Sequence, residues 1–394
     1  MAKRIHHEDD TLCIHAGENH HGRNGSITTD VVNSAVFVID GVDELRKIKD
    51  KKSSAYMYTR FANPTTRAAE EKIAALEGAE DCVVTSSGMA AEMCAALAVC
   101  KAGDEIVSML DVYGGTLSLF EKVFDKFGVK TRFVPYQDID RIERYFNKRT
   151  RMLFIETPTN PTLRCVDIAK LAAIATSHGA ISVVDNTFAT PILQKPLALG
   201  ADIVVHSGTK YLGGHSDVTA GAVCGSRELM AQVREMMKLS GGCLDPNASY
   251  LMIRGMKTLE VRVERACGNA TILAQVLSEH KKVARVFYPG LPENEGHEIA
   301  ARQMRDFGMM VSFDLKGGGR AAERFIDRLQ MLYLAPSLGG VESTVSYPLL
   351  TSHVGLSKER LNLLGVSAAT VRLSVGIEHA ADLVADVEQA LEKV

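Results

Sequence analysis

The sequence predicts an α/β protein whose large domain has a mainly parallel seven-stranded sheet and whose smaller C-terminal domain is α+β. Between residues 65 and 224, short apolar runs alternate with helical patterns. Such alternation produces right-handed crossovers between parallel strands, with helices covering both faces of the sheet. Beyond about Tyr250, a long helical stretch leads into shorter strands separated by helices, which indicates a second domain.

Three segments are expected along the chain. Residues 1–62 are polar and contain turn-rich patches, so they are predicted to form an N-terminal arm. Residues 63–249 carry the alternating pattern and form the large domain. Residues 250–394 form the C-terminal domain, attached through the helical stretch from Ser249 to Leu277. The 394 residues suffice for two domains.

The individual elements follow from periodicity and end signals. A helix is predicted from Thr65 to Gly78, because threonines precede an apolar pattern at helical spacing and a glycine ends it. The strands of the large sheet are expected at 81–86, 105–110, 131–134, 151–155, 181–184, 203–205 and 220–224. Further helices are expected at 87–103, 115–127, 139–147 and 168–178. The C-terminal domain is predicted to contain strands at 283–287, 309–314 and 370–375 and a last helix at 380–393.

The composition is that of an ordinary globular protein and argues against two classes of partner. Lysine and arginine number 45 against 48 aspartates and glutamates, so the formal charge is −3. This charge creates no field that favours nucleic acid or an anionic membrane surface. The first ten residues lack the apolar core of a signal peptide, and no stretch approaches the roughly 20 apolar residues that span a bilayer. A cytoplasmic protein is expected.

No metal site is expected. The eight cysteines are scattered, without a Cys-x-x-Cys pair and without histidines at zinc-ligand spacing. They are interpreted as reduced thiols, mostly in the core. The pairs His6–His7 and His20–His21 are interpreted as solvated, because adjacent histidines in a polar segment are more often solvent-exposed than metal-bound.

Two polar clusters at strand ends indicate a bound organic cofactor. Asp185 closes the strand at 181–184, and Lys210 follows the strand at 203–205. In an open α/β sheet both would face one crevice at the carboxyl ends of the strands. A desolvated lysine is a nucleophile toward an aldehyde, and a carboxylate can hold a pyridine nitrogen protonated. On their own, the lysine is also consistent with a surface residue and the aspartate with a helix cap.

An anion site is predicted beside these clusters. Ser86 to Met89 lies between a strand and a helix, so its backbone N–H groups point at the helix N-terminus, where a phosphate is favoured. Ser207 and Thr209 add hydroxyl donors at the second strand end. Many strand-to-helix turns contain serine and glycine, and the prediction therefore depends on all of these groups acting together.

Seven motifs show a wider resemblance. In order along the chain they are Tyr56–Thr65, Ser86–Met89, Asp111–Gly115, Glu156–Pro161, Val184–Phe188, His206–Tyr211 and Val371–Gly376. With these motifs the chain, from about Leu12 to Leu391, resembles the cysteine/methionine-metabolism family of pyridoxal-phosphate (PLP) enzymes. That family includes cystathionine γ-lyase, cystathionine γ-synthase, methionine γ-lyase and cystathionine β-lyase. The resemblance implies a fold like that of the type I PLP transferases.

The resemblance also implies a role for each matching residue around the cofactor. Lys210 would bond the aldehyde carbon of pyridoxal 5'-phosphate and then move protons on the substrate. Asp185 would pair with the ring nitrogen, and Tyr113 would stack on the ring and assist proton transfer. The phosphate would be held by the backbone amides of Gly88 and Met89 and the hydroxyls of Ser207 and Thr209.

The substrate and the neighbouring subunit are implied in the same way. Arg372 would clamp the α-carboxylate of an amino-acid substrate through its two-pronged guanidinium group, with help from Asn160 and Ser337. Tyr58 and Arg60, on the arm, would reach the phosphate in a neighbouring subunit, so the active unit would be at least a dimer and is expected to be a homotetramer. Outside this pattern, the favoured interpretations would be a packed aromatic at Tyr113, a strand-end ion pair at Arg372 and a solvated loop at Tyr58 and Arg60.

The chain departs from the family subgroups at positions that determine substrate choice. Gly115 stands where methionine γ-lyases have a cysteine, and Lys238–Leu239 lacks their acidic second residue. Pro336 stands where cystathionine γ-lyases have a glutamate, and Val31–Phe37 lacks the usual proline. These differences indicate an unusual distal pocket. The γ-substituent could be sulfur-linked, as in cystathionine, methionine or homocysteine, or oxygen-linked, as in O-acylhomoserines or canavanine.

The sequence thus predicts a PLP-dependent γ-lyase that yields a 2-oxo acid or a homoserine-type product. The nearest alternative is γ-replacement, as catalysed by a cystathionine γ-synthase or an O-acylhomoserine sulfhydrylase. A protein that keeps the fold without catalysis is a further alternative, because fold does not imply function. A nicotinamide-dependent dehydrogenase is disfavoured, since no Gly-x-Gly-x-x-Gly follows the early strands.

Overall fold

The computed structural model describes residues 7–18 and 25–394. Before the large sheet begins, the described part of the chain contains α1 (Asp9–His15), α2 (Gly41–Lys49) and α3 (Pro64–Glu77). The helix predicted from Thr65 is confirmed as α3, with the Asn63 side chain capping its start and Gly78 ending it in a left-handed conformation. Helix α2 was not predicted, and none of its residues is buried.

The first half of the chain forms the predicted seven-stranded sheet. Its strands are β1 (Asp81–Thr85), β2 (Glu105–Met109), β3 (Lys130–Val134), β4 (Thr150–Glu156), β5 (Ile181–Asp185), β6 (Ile203–His206) and β7 (Gly221–Gly225). Their order is β1-β7-β6-β5-β4-β2-β3, and β7 runs antiparallel to both of its neighbours while the other pairs are parallel. The prediction of a mainly parallel sheet is confirmed.

Helices connect these strands and cover the sheet. They are α4 (Gly88–Val99), α5 (Gly114–Ser118), α6 (Ile168–Ser177), α7 (Thr190–Leu193) and α8 (Arg227–Ser240). The helix expected at 115–127 is α-helical only in α5 and continues as a π-helix, Leu119–Phe124, and a 3₁₀ turn, Asp125–Phe127. The helix expected at 139–147 is a 3₁₀ helix, Tyr136–Tyr145, with a kink at Arg141. In that segment only Ile142 is buried, so little apolar packing stabilises a regular α-helix.

The second half forms a five-stranded sheet with its own helices. Its elements are α9 (Pro246–Met256), α10 (Leu259–Glu279), β8 (Val283–Phe287), α11 (His297–Gln303), β9 (Met310–Leu315), α12 (Gly319–Arg328), β10 (Tyr333–Leu334), β11 (Thr344–Ser346), α13 (Lys358–Leu364), β12 (Thr370–Ser374) and α14 (Ala380–Glu392). The strand order is β10-β11-β12-β9-β8. Strands β10 and β11 were not predicted, since two and three residues are too short to show a periodic pattern.

The single long helix expected at 249–277 is instead the pair α9 and α10. The break lies at Lys257 and Thr258, where Arg262 donates to the carbonyl oxygens of Gly255 and Tyr211, both at 2.9 Å. A side chain thus satisfies a carbonyl at the end of α9, as often happens at helix ends. The apolar periodicity continues through the break, which explains why the sequence alone predicted one helix.

Metal and membrane features can be checked only over the described ranges. Within residues 7–18 and 25–394, no group of three or more His, Cys, Asp or Glu side chains is arranged to hold a metal ion. His6, His20 and His21 lie outside those ranges. Over the same part of the chain, no helix combines the length and the apolar character needed to cross a bilayer. Seven of the eight cysteines are buried, Cys243 is partly exposed, and all are free thiols.

A buried carboxylate on α14 holds the segment that leads to β10. Asp386 is 6% exposed and accepts hydrogen bonds from the backbone N–H groups of Gln330, Met331 and Leu332, at 2.8, 2.9 and 3.1 Å. Three donors on one carboxylate fix this turn. The chain then continues through β10 to Ser337, which lines the large cavity described below.

Replacement of this carboxylate should destabilise the C-terminal half of the protein. Because Asp386→Ala leaves three backbone N–H groups without an acceptor, among them the buried one of Leu332, it is expected to lower the free energy of unfolding by about 1–3 kcal/mol. The matched control is Glu388→Ala on the exposed face of the same helix, expected to change stability by less than about 0.5 kcal/mol. Thermal denaturation of both variants provides the measurement. Equal melting temperatures for the two variants would show that Asp386 does not hold this turn.

Candidate active site

One cavity of about 540 Å³ lies at the carboxyl ends of the parallel strands. Ten of the twelve predicted site residues line it: Gly88, Met89, Tyr113, Asn160, Asp185, Ser207, Thr209, Lys210, Ser337 and Arg372. They come from both sheets, because Ser337 and Arg372 belong to the C-terminal half. The clustering agrees with the rule that ligands of open α/β sheets bind outside the carboxyl ends of the strands.

One end of the cavity is suited to an anion. Helix α4 begins at Gly88, and the Ser87 hydroxyl caps it by accepting from the N–H of Ala90 at 3.1 Å. The N–H groups of Gly88 and Met89 have no intrahelical acceptor, as at the start of every helix, and the helix dipole favours negative charge there. The turn after β6 packs directly on this helix start. A Cβ atom added at Gly88 would lie only 2.8 Å from Cβ of Ser207.

The two hydroxyl side chains at this end differ in their bonding. The backbone N–H of Ser207 donates to the Thr187 hydroxyl at 2.8 Å, which leaves the Ser207 side chain at the cavity wall. The Thr209 hydroxyl exchanges hydrogen bonds with the backbone of Ala220, at 2.9 and 3.1 Å. Thr209 therefore lines the cavity while it also fixes the turn that carries Lys210.

Lys210 reaches the second half of the chain. Its Nζ atom donates to the hydroxyl of Ser337 at 2.5 Å. Burial, together with the positive charge of Arg372, lowers the pKa of Lys210 to about 8. A lysine with this pKa has a substantial neutral fraction near physiological pH, and the neutral amine is the nucleophilic form.

Arg372 lies in the middle of β12 and is 4% exposed. Its guanidinium donates to the side-chain oxygen of Asn160 at 2.8 Å and to the carbonyl oxygen of Ser337 at 3.1 Å. Burial lowers the pKa of Arg372 to about 10. The side chain remains charged and is held by two neutral acceptors, so it is available to pair with a carboxylate that enters the cavity.

Ser337 therefore contacts both cationic groups, one through its hydroxyl and the other through its carbonyl. The residue adopts φ = 105°, which a residue other than glycine rarely does. Backbone strain of this kind concentrates at functional sites, where surrounding contacts maintain it. The contact between residues 127 positions apart could not be derived from sequence spacing.

Three buried carboxyl groups also line the cavity. Asp185 accepts from the N–H of Thr187 at 2.8 Å. It is the register partner of Glu156 on the adjacent strand β4. Glu156 accepts from the N–H of Tyr113 at 2.7 Å. Glu92, on α4, accepts from the hydroxyl of Thr116 at 2.9 Å. Burial raises the pKa of all three, and the negative charge of Asp185 contributes to the shifts of the two glutamates.

The sequence analysis missed Glu92 as a cavity residue. The available signal was its position four residues after Gly88, which puts both on one face of α4. An acidic residue within an alanine-rich helix is unusual, and the hydroxyl of Thr116 is its partner in the structure. Glu156 lies in the motif Glu156–Pro161, but the resemblance implied no role for it.

Tyr113 and its neighbours form the outer wall of the cavity. Tyr113 is 45% exposed, and its ring packs against Gly115 so closely that an added Cβ atom would lie 2.3 Å from a ring carbon. The same Cβ would lie 2.9 Å from the sulfur of Met89. A cysteine at position 115 would require this tyrosine to move, so the departure at Gly115 changes the shape of the pocket. Pro336, another of the departures, lines the cavity itself, whereas Gly115 lines the second cavity described below.

Tyr58 and Arg60 do not line the cavity of their own chain. Arg60 donates to the carbonyl oxygen of Lys238 at 2.6 Å, and its guanidinium lies 4.9 Å from the ring centre of Phe61 and 5.5 Å from that of Tyr58. Tyr58 is 38% exposed. The role implied for both residues at a neighbouring subunit stays a prediction.

The groups in the cavity fit pyridoxal phosphate. The cavity has a helix start with free N–H groups for a phosphate, a lysine of lowered pKa for an aldehyde, and a buried carboxylate for a ring nitrogen. The second oxygen of Glu92 has no hydrogen-bond partner among the described residues. Buried polar atoms of this kind are normally satisfied, which indicates that the cavity accommodates a polar molecule.

Comparison with known proteins agrees with this chemistry. A family model described as Cys/Met metabolism PLP-dependent enzyme matches residues 10–392. The chain is 43% identical to L-methionine gamma-lyase of Fusobacterium nucleatum subsp. polymorphum over 389 residues, which cover 98% of each protein. It is 44% identical to the chloroplastic cystathionine gamma-synthase 1 of Arabidopsis thaliana over 390 residues, which cover 98% of this chain and 69% of the plant protein.

A solved structure gives the same result at the level of the fold. The crystal structure of metB from Corynebacterium glutamicum matches with a TM-score of 0.92 and 41% sequence identity, covering 98% of both chains. The family model spans nearly the whole chain, and the relatives match over almost its full length. The protein therefore belongs to the family of Cys/Met metabolism PLP-dependent enzymes.

Proposed function

We propose that this protein is a PLP-dependent γ-lyase that cleaves the Cγ–S or Cγ–O bond of a γ-substituted L-amino acid. The observation that carries the proposal is the bridge formed by Ser337. Its hydroxyl accepts from Lys210, and its carbonyl accepts from Arg372. The amine of Lys210, which would act at Cα, and the guanidinium of Arg372, which would hold the α-carboxylate, therefore contact the same residue. One amino-acid substrate could reach both groups.

The residues that would hold the cofactor divide into three groups. Lys210 would bond the aldehyde carbon, Asp185 would pair with the ring nitrogen, and Tyr113 would stack on the ring. The phosphate would be bound by the N–H groups of Gly88 and Met89 and by Ser207 and Thr209. When bound, pyridoxal phosphate supplies an electron sink for the electron pair left on the substrate after a proton is removed from Cα.

The chain's own side chains would then carry out binding and proton transfer. Arg372 binds the α-carboxylate, while Asn160 and the carbonyl of Ser337 orient the guanidinium group. Lys210 takes the proton from Cα, and loss of a proton from Cβ then allows the sulfur or oxygen substituent to leave Cγ. Tyr113, at the outer wall, assists proton transfer on the substrate side. Addition of water yields a 2-oxo acid and ammonia.

The departures at Gly115 and Pro336 support a distal pocket unlike that of the methionine and cystathionine γ-lyases. Both residues lie at the walls of the cavities near Tyr113. Candidate substrates are cystathionine, methionine, homocysteine, O-acylhomoserines and canavanine, and replacement of the hydroxyguanidine group of canavanine at Cγ by water would leave homoserine. The listed amino acids share the α-amino and α-carboxylate groups that Lys210 and Arg372 would recognise.

A second candidate function is γ-replacement, in which a thiol adds at Cγ in place of elimination. A second cavity of about 560 Å³ supports it, because this cavity shares Tyr113, Thr351 and Ser352 with the first. The space can accommodate a thiol co-substrate beside the amino acid. The relatives include enzymes named as lyases and as synthases at similar identity.

The assembly and the location in the cell are also part of the proposal. The exposed Tyr58 and the nearby Arg60 would complete the phosphate site of a neighbouring subunit, so we expect at least a dimer and propose a homotetramer. Residues 1–62 would form the arm that reaches this neighbour, 63–249 the cofactor-binding domain, and 250–394 the C-terminal domain. We expect the protein in the cytoplasm.

The γ-lyase proposal predicts product formation without any thiol. Purified holoenzyme incubated with cystathionine, methionine, homocysteine, an O-acylhomoserine or canavanine should release 2-oxobutanoate, or homoserine from canavanine. Lys210→Ala should reduce turnover by at least about a thousandfold, as expected for loss of the proton-transferring group. Lys170→Ala, on the exposed surface of α6, is the control and should retain activity. Product that appears only after cysteine or sulfide is added would instead identify a replacement enzyme.

Arg372→Lys should weaken substrate binding while the cofactor stays bound. A lysine keeps the positive charge but loses the two-pronged geometry, so the KM for the amino acid should rise by about tenfold to a hundredfold. The visible absorption of the bound cofactor should remain. Steady-state kinetics and absorbance spectra provide the measurement, and an unchanged KM would show that Arg372 does not hold the α-carboxylate.

The lowered pKa of Lys210 predicts how cofactor capture depends on pH. Only the neutral amine attacks the aldehyde, so the rate at which cofactor-free protein captures pyridoxal phosphate should rise with pH and be half-maximal near about 8. An ordinary lysine would require a pH near about 10.4. Because Arg372 contributes to the shift, Arg372→Leu should move the midpoint upward. Stopped-flow absorbance tests this, and a midpoint near 10 in the unmodified protein would contradict it.

A further inference from the structure

The proposed function leaves one ionisable side chain of the cavity without a role. Asp185 is assigned to the ring nitrogen, Lys210 to the aldehyde and Arg372 to the substrate carboxylate. Glu156 accepts from the backbone N–H of Tyr113 and so fixes that residue. Glu92 has no such function, although it also lines the cavity.

The geometry of Glu92 indicates a ligand-facing carboxyl group. The side chain is 5% exposed, and its Oε1 atom accepts from the hydroxyl of Thr116 at 2.9 Å. Its Oε2 atom is buried and has no hydrogen-bond partner among the described residues. An unsatisfied buried carboxyl oxygen is costly, so it is normally matched by a proton donor or a cation. A molecule that occupies the cavity can supply such a partner.

The charged groups that act on Glu92 and its neighbours come from the strands of the large sheet. Burial and the negative charge of Asp185, on β5, raise its pKa, and only the hydroxyl of Thr116 opposes the shift. Glu92 in turn contributes to the raised pKa of Glu156, on β4. His206, on β6, acts on Asp185 in the opposite direction. The cavity's other charged or titratable side chains are Lys210, Arg372 and Tyr113.

Glu92 and Asp185 line the same cavity. The charge that acts on Glu92 is that of Asp185, while the charges that act on Arg372 are those of Tyr211, Glu156 and Tyr113. A carboxyl group beside Asp185 faces the part of the cavity assigned to the ring nitrogen.

We propose that Glu92 is a second acidic residue for the protonated ring nitrogen, acting together with Asp185 and held in position by Thr116. Burial and the negative charge of Asp185 favour the protonated form of Glu92 when no cation lies beside it. When a cation occupies that end, Glu92 ionises and strengthens the negative field that retains it. The inference rests on the proposed function, which assigns Asp185 to the ring nitrogen.

The proposal makes a prediction for the cofactor-free protein. A carboxyl group whose pKa is raised in the folded state destabilises the fold at every pH above its unfolded pKa of about 4.3. Glu92→Gln removes that group but keeps its shape and its contact with Thr116. Without cofactor, the variant should therefore melt at a higher temperature than the unmodified protein at pH 7, and the difference should shrink as the pH falls toward 5.

Cofactor binding should change in the opposite direction. The dissociation constant of pyridoxal phosphate, measured by absorbance titration of cofactor-free protein, should increase for Glu92→Gln by about tenfold at pH 8, the equivalent of one pKa unit. The ratio of the two dissociation constants should grow as the pH rises from 6 to 9, because Glu92 contributes only when ionised. Glu92→Ala should lose the same pH-dependent contribution.

The matched control is Glu121→Gln, which makes the same change in charge outside this cavity. Glu121 pairs with Arg360 and lines only the second cavity, so its replacement should leave the pH dependence of cofactor binding unchanged. Two results would overturn the proposal. One is an equal dissociation constant for Glu92→Gln and the unmodified protein at every pH, and the other is a weaker affinity that does not vary with pH, together with a lower melting temperature.

These outcomes are separate from a failure of the γ-lyase proposal. That failure would appear as an absence of product from every γ-substituted amino acid with the unmodified holoenzyme. Cofactor affinity and the stability of the cofactor-free protein are measured without substrate. Each proposal can therefore fail while the other stands.

Discussion

The arrangement of this protein depends on holding opposite charges together in one buried cavity. Three carboxyl groups lie on the side formed by α4, β4 and β5, and Lys210 and Arg372 bring positive charge from β6 and β12. Burial raises the pKa values of the acids and lowers those of the two bases. Such charges are unfavourable unless they are paired, and under the proposed function a zwitterionic cofactor and an amino acid would provide the partners.

The two sheets contribute different charged and polar groups to the cavity. The parallel strands of the first sheet end at one edge, so the groups that follow β1, β5 and β6 converge without any long connection. These groups would recognise the phosphate, the ring nitrogen and the aldehyde. The second sheet brings Arg372 and, beyond β10, Ser337. Asp386 holds the turn before β10, so packing in the C-terminal half controls where the substrate carboxylate would bind.

The errors in the predicted elements have identifiable physical causes. Periodicity reports which residues are apolar, and it continued through the break between α9 and α10 because side chains on both helices are buried. It also cannot distinguish an α-helix from the 3₁₀ helix Tyr136–Tyr145 or the π-helix after α5. Strands β10 and β11 are too short to carry a pattern. Glu92 was not predicted because the groups around it in the structure, Thr116 and Asp185, are not its neighbours in sequence.

Local signals in the sequence determined the alternating elements of the large sheet and the short motifs that carry Asp185, Lys210 and the start of α4. These features depend on periodicity, helix caps and strand ends, which act over a few residues. Tertiary structure alone decided that Lys210 and Arg372 meet at Ser337 and that Glu92 lies beside Asp185. Lys210 and Ser337 are 127 positions apart, Ser337 and Arg372 are 35 positions apart, and Glu92 and Asp185 belong to α4 and β5. Only the packing of two sheets brings them together, because no local pattern specifies distances across a fold.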